Sequence, residues 1–575
     1  MIKIYRNLRP YLLQLVGILI LQTVQVIANL YLPNLMSDIT NYGILKDDVG
    51  YIWQTGGKML LVSAIGVVSA IVSSYLASTT AMGLGKILRN RIFRRIEDFS
   101  LHEFDQFGAS TLITRTTNDI VQIQFVTFMM LNMLISSPIT AVGGTILAFR
   151  QDPGMTFILA YALPVVALLI GIIAWRGIPL FKVVQKKIDR LNLVLREKLT
   201  GVRVIRAFNR MDHEGRRFDE ASRDLTKTYI KVNRIMAFLM PSLMMLMNLV
   251  TLSILWFGAI KIGDGSTNIG NLMAFMQYAL QILISLLMFS MLFILVPRAQ
   301  AAAVRLNEVF ETKPEIVDPE TPVHADSEAG YVEFRNVTFR YHGAEMPAVS
   351  NITFSAKPGE TTAIIGGTGS GKSTIVNMIP RFYDPDEGAV LVDGVDVRAM
   401  TQEELRAKIG FVPQKAILFT GTIADNLRYG KPDASEGDVA HAAEVAQASE
   451  FIGSMKDSYD TMLSEGGLNL SGGQKQRLSI ARALIRRPEI YVFDDAFSAL
   501  DFKTDARLRA ALKRETLQAT VILVAQRVGT VMDADRIIVL DEGKVAGIGT
   551  HRELMKDCEV YREIVSSQLT EEELA

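Results

Sequence analysis

The chain joins two kinds of sequence end to end. Through roughly the first 310 residues the apolar positions gather into long uncharged runs. Six stretches there are uncharged for long enough to cross a bilayer: 11–33, 59–82, 127–149, 155–174, 236–260 and 272–297. A hydrocarbon core about 30 Å thick takes about 20 helical residues, and helices in soluble cores are usually shorter and amphipathic. The fourth stretch, FILAYALPVVALLIGIIAW, carries no charge. From 331 onward the pattern changes. A strand-like alternation, YVEFRNVTFRY, is followed by short apolar runs (TTAII, IYVF, VILV) interleaved with helical periods, which reads as an α/β domain. Between the two lies 311–330, ETKPEIVDPETPVHADSEAG, rich in proline and acid and without period, hence a linker. The expected fold class is multi-domain. An all-α six-helix transmembrane domain with long cytosolic helical extensions occupies 1–310, and an α/β domain occupies 331–575.

The connections decide which way the chain faces. Those after the second and fourth stretches are long and cationic. One carries Lys86, Arg89, Arg91, Arg94 and Arg95; the other Lys186, Lys187, Arg196, Arg203, Arg206, Arg210, Arg216 and Arg217. The remaining connections are shorter and hold few cations, chiefly Lys46, Arg150 and Lys261. Positive charge stays inside, so the long connections, the N-terminus and the α/β domain are expected in the cytoplasm of a multi-pass plasma-membrane protein. Lys3, Arg6 and Arg9 precede the first stretch as in a signal peptide, but the run that follows is too long for one and reads as a retained first span. The long connections keep a helical period, as in FKVVQKKIDRLNLVLREKLTGVRVIRAF, so they extend the spans as stalks. They turn near 104–113 and 209–218, and the turned ends suit docking on a cytosolic motor.

Composition adds exclusions. The net charge is +0, which leaves no bulk footprint for nucleic acid. Cys558 is the single cysteine, so no disulfide framework or thiol metal site is expected. The spans carry scattered Gln14, Gln22, Gln25, Gln277 and Gln281. Among their methionines, Met129, Met130, Met133, Met240, Met244, Met245 and Met247 cluster in spans three and five. Flexible methionine surfaces suit amphipathic or lipophilic cargo, although packing and lipid contact explain them as well.

The chemistry sits in the second half. TTAII leads into IGGTGSGKST, which places Gly366, Gly371, Lys372 and Ser373 at the G-x-x-x-x-G-K-[ST] spacing. Around Gly366, Gly367, Thr368, Gly369, Ser370 and Gly371 the backbone can wrap an anion at a helix start, with Lys372 on the β- and γ-phosphates and Ser373 on Mg²⁺, beside Thr374. Tyr341 closes the opening alternation, where an aromatic can stack on adenine. Gln414, in GFVPQKAILF, can reach Mg²⁺ or the attacking water. Ser471, Gly472, Gly473 and Gln474 form LSGGQ before a helical run, a second anion-ready helix start. IYVFDDAFSALD delivers Asp494 to the metal and sets Asp495 where a water-polarising carboxylate is expected. VILVAQRV holds another apolar run, with Gln526 at its exit, and with these segments 331–575 is expected to be an α/β P-loop nucleotide-binding domain.

These segments, in this order, resemble the ATP-binding-cassette family. With six spans and two long connections, the whole chain resembles an exporter-type half-transporter. The resemblance implies ATP and Mg²⁺ as cofactors, Ser373, Gln414 and Asp494 as metal ligands, a dimer in which ATP turns a membrane cavity outward, and coupling segments that reach the partner's motor. It implies membrane lipids and a small amphipathic substrate as partners, and no nucleic acid. Two positions depart from the family pattern. Where the family has a catalytic Glu stands Asp495, whose carboxylate falls short by about 1.5 Å, one C–C bond. Where it has a His stands Gln526, an amide that cannot take up a proton. Both losses fall on one reaction, while the ATP-binding segments and LSGGQ are complete. The pattern resembles the degenerate-site subunit of heterodimeric bacterial multidrug exporters. In that reading the partner carries the consensus Glu and His, and Ser471, Gly472, Gly473 and Gln474 act on the partner's ATP. An exporter of a defined lipid, peptide or siderophore cargo, and an ATP-gated membrane sensor that does not pump, are the alternatives.

Overall fold

The computed structural model describes residues 1–325 and 330–568, apart from the side chains at 170, 173–174, 177–178, 181–182, 236, 239–240 and 293–294. Residues 326–329 of the expected linker and the Met240 side chain lie outside the described residues. The chain divides into two units: Met1–Arg95 with Ser110–Glu311, and Ile96–Ala109 with Thr312–Ala575.

The first unit is helical. Its six long helices are Leu12–Asp38, Val49–Glu97, Ile120–Gln151, Pro153–Thr200, Met211–Gly263 and Ile269–Glu311. Each covers one predicted span. Five helical stretches among the described residues are long and apolar enough to cross a membrane, and a shorter apolar stretch, Pro153–Leu169, begins the fourth long helix. Asp152 caps that fourth helix by accepting the Met155 N–H at 3.0 Å, with Pro153 in its first turn. A core of Val26, Leu30, Leu159, Leu243, Ile254, Phe275 and Ile282 joins helices one, four, five and six. The buried Tyr278 hydroxyl donates to the Leu30 carbonyl at 3.0 Å. Small residues set the closest approaches: a Cβ on Gly85 would fall 2.0 Å from the Gln124 amide nitrogen. Leu13, Leu60, Val68 and Trp256 point outward, as a lipid-facing surface requires. The fourth and fifth helices run 48 and 53 residues and lie side by side. Their cytosolic parts are registered by Lys187–Asp224 at 2.6 Å and Arg217–Glu197 at 2.7 Å.

The second unit holds the sheets. The antiparallel one has order β2-β1-β4-β5, from β1 (Val332–Phe339), β2 (Val349–Ala356), β4 (Glu387–Val392) and β5 (Val395–Asp396). The larger has order β12-β11-β3-β10-β9-β6, from β3 (Thr361–Gly366), β6 (Ile409–Val412), β9 (Ile490–Asp494), β10 (Thr520–Val524), β11 (Arg536–Asp541) and β12 (Lys544–Gly549). All its pairings are parallel except β11 with β12. The apolar runs TTAII, IYVF and VILV are therefore adjacent, buried strands, as uninterrupted hydrophobicity demands of a parallel sheet. Ligands bind at the carboxyl ends of such strands, and β3, β10 and β9 end side by side.

Ile96–Ala109 belongs to this unit and includes the first part of the turn expected at 104–113, whose remainder, 110–113, stays with the helical unit. Its helix Leu101–Phe107 starts with a capping box of Ser100 and Glu103. The other Glu103 oxygen accepts the Glu315 N–H at 3.1 Å, which ties the start of the linker to the turned end. The His102 and His342 rings lie 4.9 Å apart. Residues 209–218, the second turned end, stay with the helical unit.

Candidate active site

The loop after β3 is shaped by glycines that no other residue could replace without strain. Gly371 has φ +91, and a Cβ there would meet the Val349 side chain at 2.4 Å; Gly369 has φ +82. The helix Lys372–Met378 starts at Gly371. Lys372 folds back into the loop and donates to the Gly366 and Gly367 carbonyls at 2.9 and 2.7 Å. Burial pushes its ammonium below the usual lysine range, against the pull of Asp495 and Asp494. The Tyr341 and Thr374 hydroxyls lie 3.0 Å apart. The Tyr341 ring meets Phe339 and Tyr383 edge-on, at 5.0 and 5.5 Å.

β9 delivers Asp494 to the same place. The Ser373 hydroxyl donates to Asp494 Oδ1 at 2.9 Å. A hydroxyl and a carboxylate side by side next to a phosphate loop are the hard oxygen donors Mg²⁺ takes, so the residues present fit that ion. One residue on, the chain turns sharply at Asp495, with φ 48. Asp and Asn tolerate this left-handed region better than most side chains. Two amides converge on Asp495 Oδ2: Gln526 Nε2 at 3.0 Å and Gln414 Nε2 at 3.4 Å. β10 lies between β3 and β9, so the residue leaving it, Gln526, arrives over both. Burial lifts both carboxyls above the usual carboxylate range. The Ser373 hydrogen bond opposes the rise at Asp494, and the Gln414 hydrogen bond opposes it at Asp495.

The LSGGQ loop is built separately. Ser471 caps the helix Gly472–Leu484 through a capping box: the Gln474 N–H donates to Ser471 Oγ at 3.3 Å, and the Ser471 N–H donates to Gln474 Oε1 at 2.9 Å. Gly473 lets the helix start press on the SALD segment, since a Cβ there would fall 3.0 Å from the Ala499 carbonyl. Ser471 and Gly472 are exposed. Among the described residues no hydrogen bond joins this loop to the phosphate loop. The structure thus brings together Lys372, Ser373, Thr374, Tyr341, Gln414, Asp494, Asp495 and Gln526, and leaves Ser471, Gly472, Gly473 and Gln474 apart. Sequence reasoning missed Gln476, which donates to the Pro413 carbonyl at 3.4 Å and links the LSGGQ helix to the Gln414 loop. The only signal was a buried amide within a helical run.

Residues 15–287 match the ABC transporter transmembrane region, and residues 349–498 match the ABC transporter family. The chain belongs to the ABC transporter family. This ABC transporter chain is 43% identical over 567 residues to Rv1273c of Mycobacterium tuberculosis (strain ATCC 25618 / H37Rv), an uncharacterized ABC transporter ATP-binding protein. The match covers 98% of this chain and 97% of that one. It is 39% identical over 566 residues to YfiB of Bacillus subtilis (strain 168), covering 98% of each. A solved bacterial Atm1-family ABC exporter with ATP bound superposes with a TM-score of 0.80 at 25% identity, covering 98% of this chain and 99% of that one. The ABC chain is therefore an exporter-type half-transporter of an ATP-driven system. It is a multi-pass membrane protein whose nucleotide-binding domain is cytoplasmic.

Proposed function

We propose that this half-transporter holds ATP and Mg²⁺ at an impaired site of its own and completes the hydrolytic site of a different half-transporter. Lys372 and the loop backbone bind the phosphates, Ser373, Gln414 and Asp494 hold Mg²⁺, and Tyr341 stacks on the base. Mg²⁺ held there would supply positive charge against the negative charge of the phosphates. Ser471, Gly472, Gly473 and Gln474 reach the partner's ATP. The cargo is amphipathic or lipophilic and leaves the cell.

The observation that carries the reading is the state of Asp495. Its outer oxygen is held by two neutral amides, where hydrolysis needs a carboxylate free to draw a proton from water. Among the described residues no imidazole bonds it; its side-chain donors are Gln526, Gln414 and Ser498. A general base must sit within hydrogen-bond reach of the proton it takes, and a 1 Å misplacement costs about 100-fold. LSGGQ keeps both its cap and its exposure.

The test is ATP turnover by the purified chain alone and together with the half-transporter it assembles with. Alone, it should bind ATP and turn it over at about one hundredth of the rate of the pair. Equal rates would overturn the division of labour. The same preparation, in vesicles, reports whether the pair pumps.

A further inference from the structure

The first, second, third and sixth membrane helices enclose a cavity of about 600 Å³, enough for a drug-sized molecule. Six carboxamides line it: Gln22, Gln25, Asn29, Asn132, Gln277 and Gln281. The first three recur at i, i+3 and i+7 on one helix, and the last two at i and i+4 on another, the spacing of single helix faces. Ser74 and Ser136 add hydroxyls. Among the described residues no Lys, Arg, His, Asp or Glu takes part in the lining. Four of the five glutamines scattered in the sequence, all but Gln14, share this one wall.

Polar side chains inside a membrane often serve as interhelical glue, and one pair here does so: Gln22 donates to Asn132 Oδ1 at 3.0 Å. The others are spent that way only in part. Gln281 gives its N–H to the Asn29 carbonyl at 3.4 Å, yet its buried Oε1 has no partner. Gln25 and Gln277 have no hydrogen-bond partner among the described residues. The buried Gln281 oxygen without a partner is costly; Gln25 is half-buried and Gln277 exposed, and water bonded to these amides is displaced without loss only by groups that reproduce its bonds. A net charge entering this wall would lose its hydration and meet no counter-charge.

We propose that the cavity recognises uncharged amphipaths that present amide-type donor–acceptor pairs, of which short end-blocked peptides are the simplest. Their apolar remainder would lie on Val26, Leu32, Ile284 and Met288. This rests on the exporter reading and narrows its cargo.

The experiment uses the full chain copurified with its partner half-transporter, in nanodiscs for binding and in inside-out vesicles for uptake. The probes are tritiated acetyl-Leu-Gln-Gln-Leu-amide and analogues with Lys or Glu at the second position. The neutral peptide should bind at least tenfold more tightly than either charged one. Gln277→Leu and Gln281→Leu should each weaken it about tenfold, about 1.4 kcal/mol. Gln277→Glu should reverse the order in favour of the Lys peptide, a gain that a misfolded variant cannot give. Equal binding of all three peptides, no binding of the neutral one, or no response to the substitutions would overturn the assignment. Uptake is scored separately. The expected binding pattern without ATP-driven uptake defeats the exporter reading and leaves the cavity assignment standing. ATP-driven uptake that prefers the Lys peptide defeats the cavity assignment and leaves the exporter.

Discussion

The phosphate loop after β3 and the LSGGQ loop before the helix Gly472–Leu484 are both helix starts ready for an anion, yet their side chains are committed differently. In the first, every reactive group already has an internal partner. Lys372 bonds its own loop, Ser373 bonds Asp494, and Asp495 is held by Gln414 and Gln526. In the second, Ser471 and Gln474 bond only each other across the cap, and the Ser471–Gly472 edge faces out. A site that satisfies itself can keep a nucleotide without reacting with it. A loop satisfied only at its cap still has backbone donors to offer another molecule. The contrast is what the proposed division of labour requires: storage at the first loop and action in trans at the second.

Four substitutions press on that contrast. The largest effect is expected from Ser471→Ala. It removes a helix cap and a donor aimed outward, and loss of one such donor at a developing charge costs 10²–10³ in rate. ATPase of the assembled pair should fall about 100-fold while this chain still binds ATP; unchanged turnover would end the trans assignment. Lys372→Ala comes next. Losing a charge-assisted contact to phosphate should weaken ATP binding to this chain about tenfold or more, as measured by nucleotide binding to the chain alone. Asp495→Glu lengthens the carboxylate at a position with left-handed backbone, and Gln526 remains. Turnover by the chain alone should rise by only about two- to threefold. A rise to the rate of the pair would show that Asp495 alone accounts for the impairment.

The smallest effect concerns stability. The folded-state pKa values of Asp494 and Asp495 are raised, so between the ordinary and the raised values the folded unit holds more protons than the unfolded chain. Their contribution to nucleotide-free stability therefore falls as pH rises through that window, and the cost is fully present above it. Asp494→Asn removes one such charge. Thermal unfolding at neutral pH without nucleotide should shift upward by a few degrees, while stabilisation by Mg²⁺ and ATP together should shrink. A downward shift without nucleotide would contradict the burial argument.

Much of the nucleotide unit was legible because its chemistry is local. IGGTGSGKST carries its own turn, and Ser471 and Gln474 cap a helix three residues apart. The strands around them are uninterrupted apolar runs that only a covered parallel sheet accommodates. The long helices of the first unit were legible for the same reason, as length and apolarity. Pairings between distant segments were not. Nothing in the sequence says that Gln414 and Gln526 share one oxygen of Asp495, since that follows from β10 lying between β3 and β9. Nor does spacing alone show that Gln25 and Gln277, on the first and sixth helices, face one cavity. The attachment of Ile96–Ala109 through Glu103 and the Glu315 N–H was equally hidden, because a backbone donor leaves no mark in the sequence.

The paired fourth and fifth helices have a mechanical consequence. At 1.5 Å per residue, 48 and 53 residues make rods of about 70 and 80 Å, of which a bilayer core takes up about 30 Å. The remaining arm is about 40–50 Å long, and rotating it by about 5° sweeps its tip through about 4 Å. Two rods packed side by side and pinned in register by Lys187–Asp224 and Arg217–Glu197 bend less than one. The pair works as a lever, exchanging a small rotation among the membrane helices for a stroke of a few ångströms at 209–218.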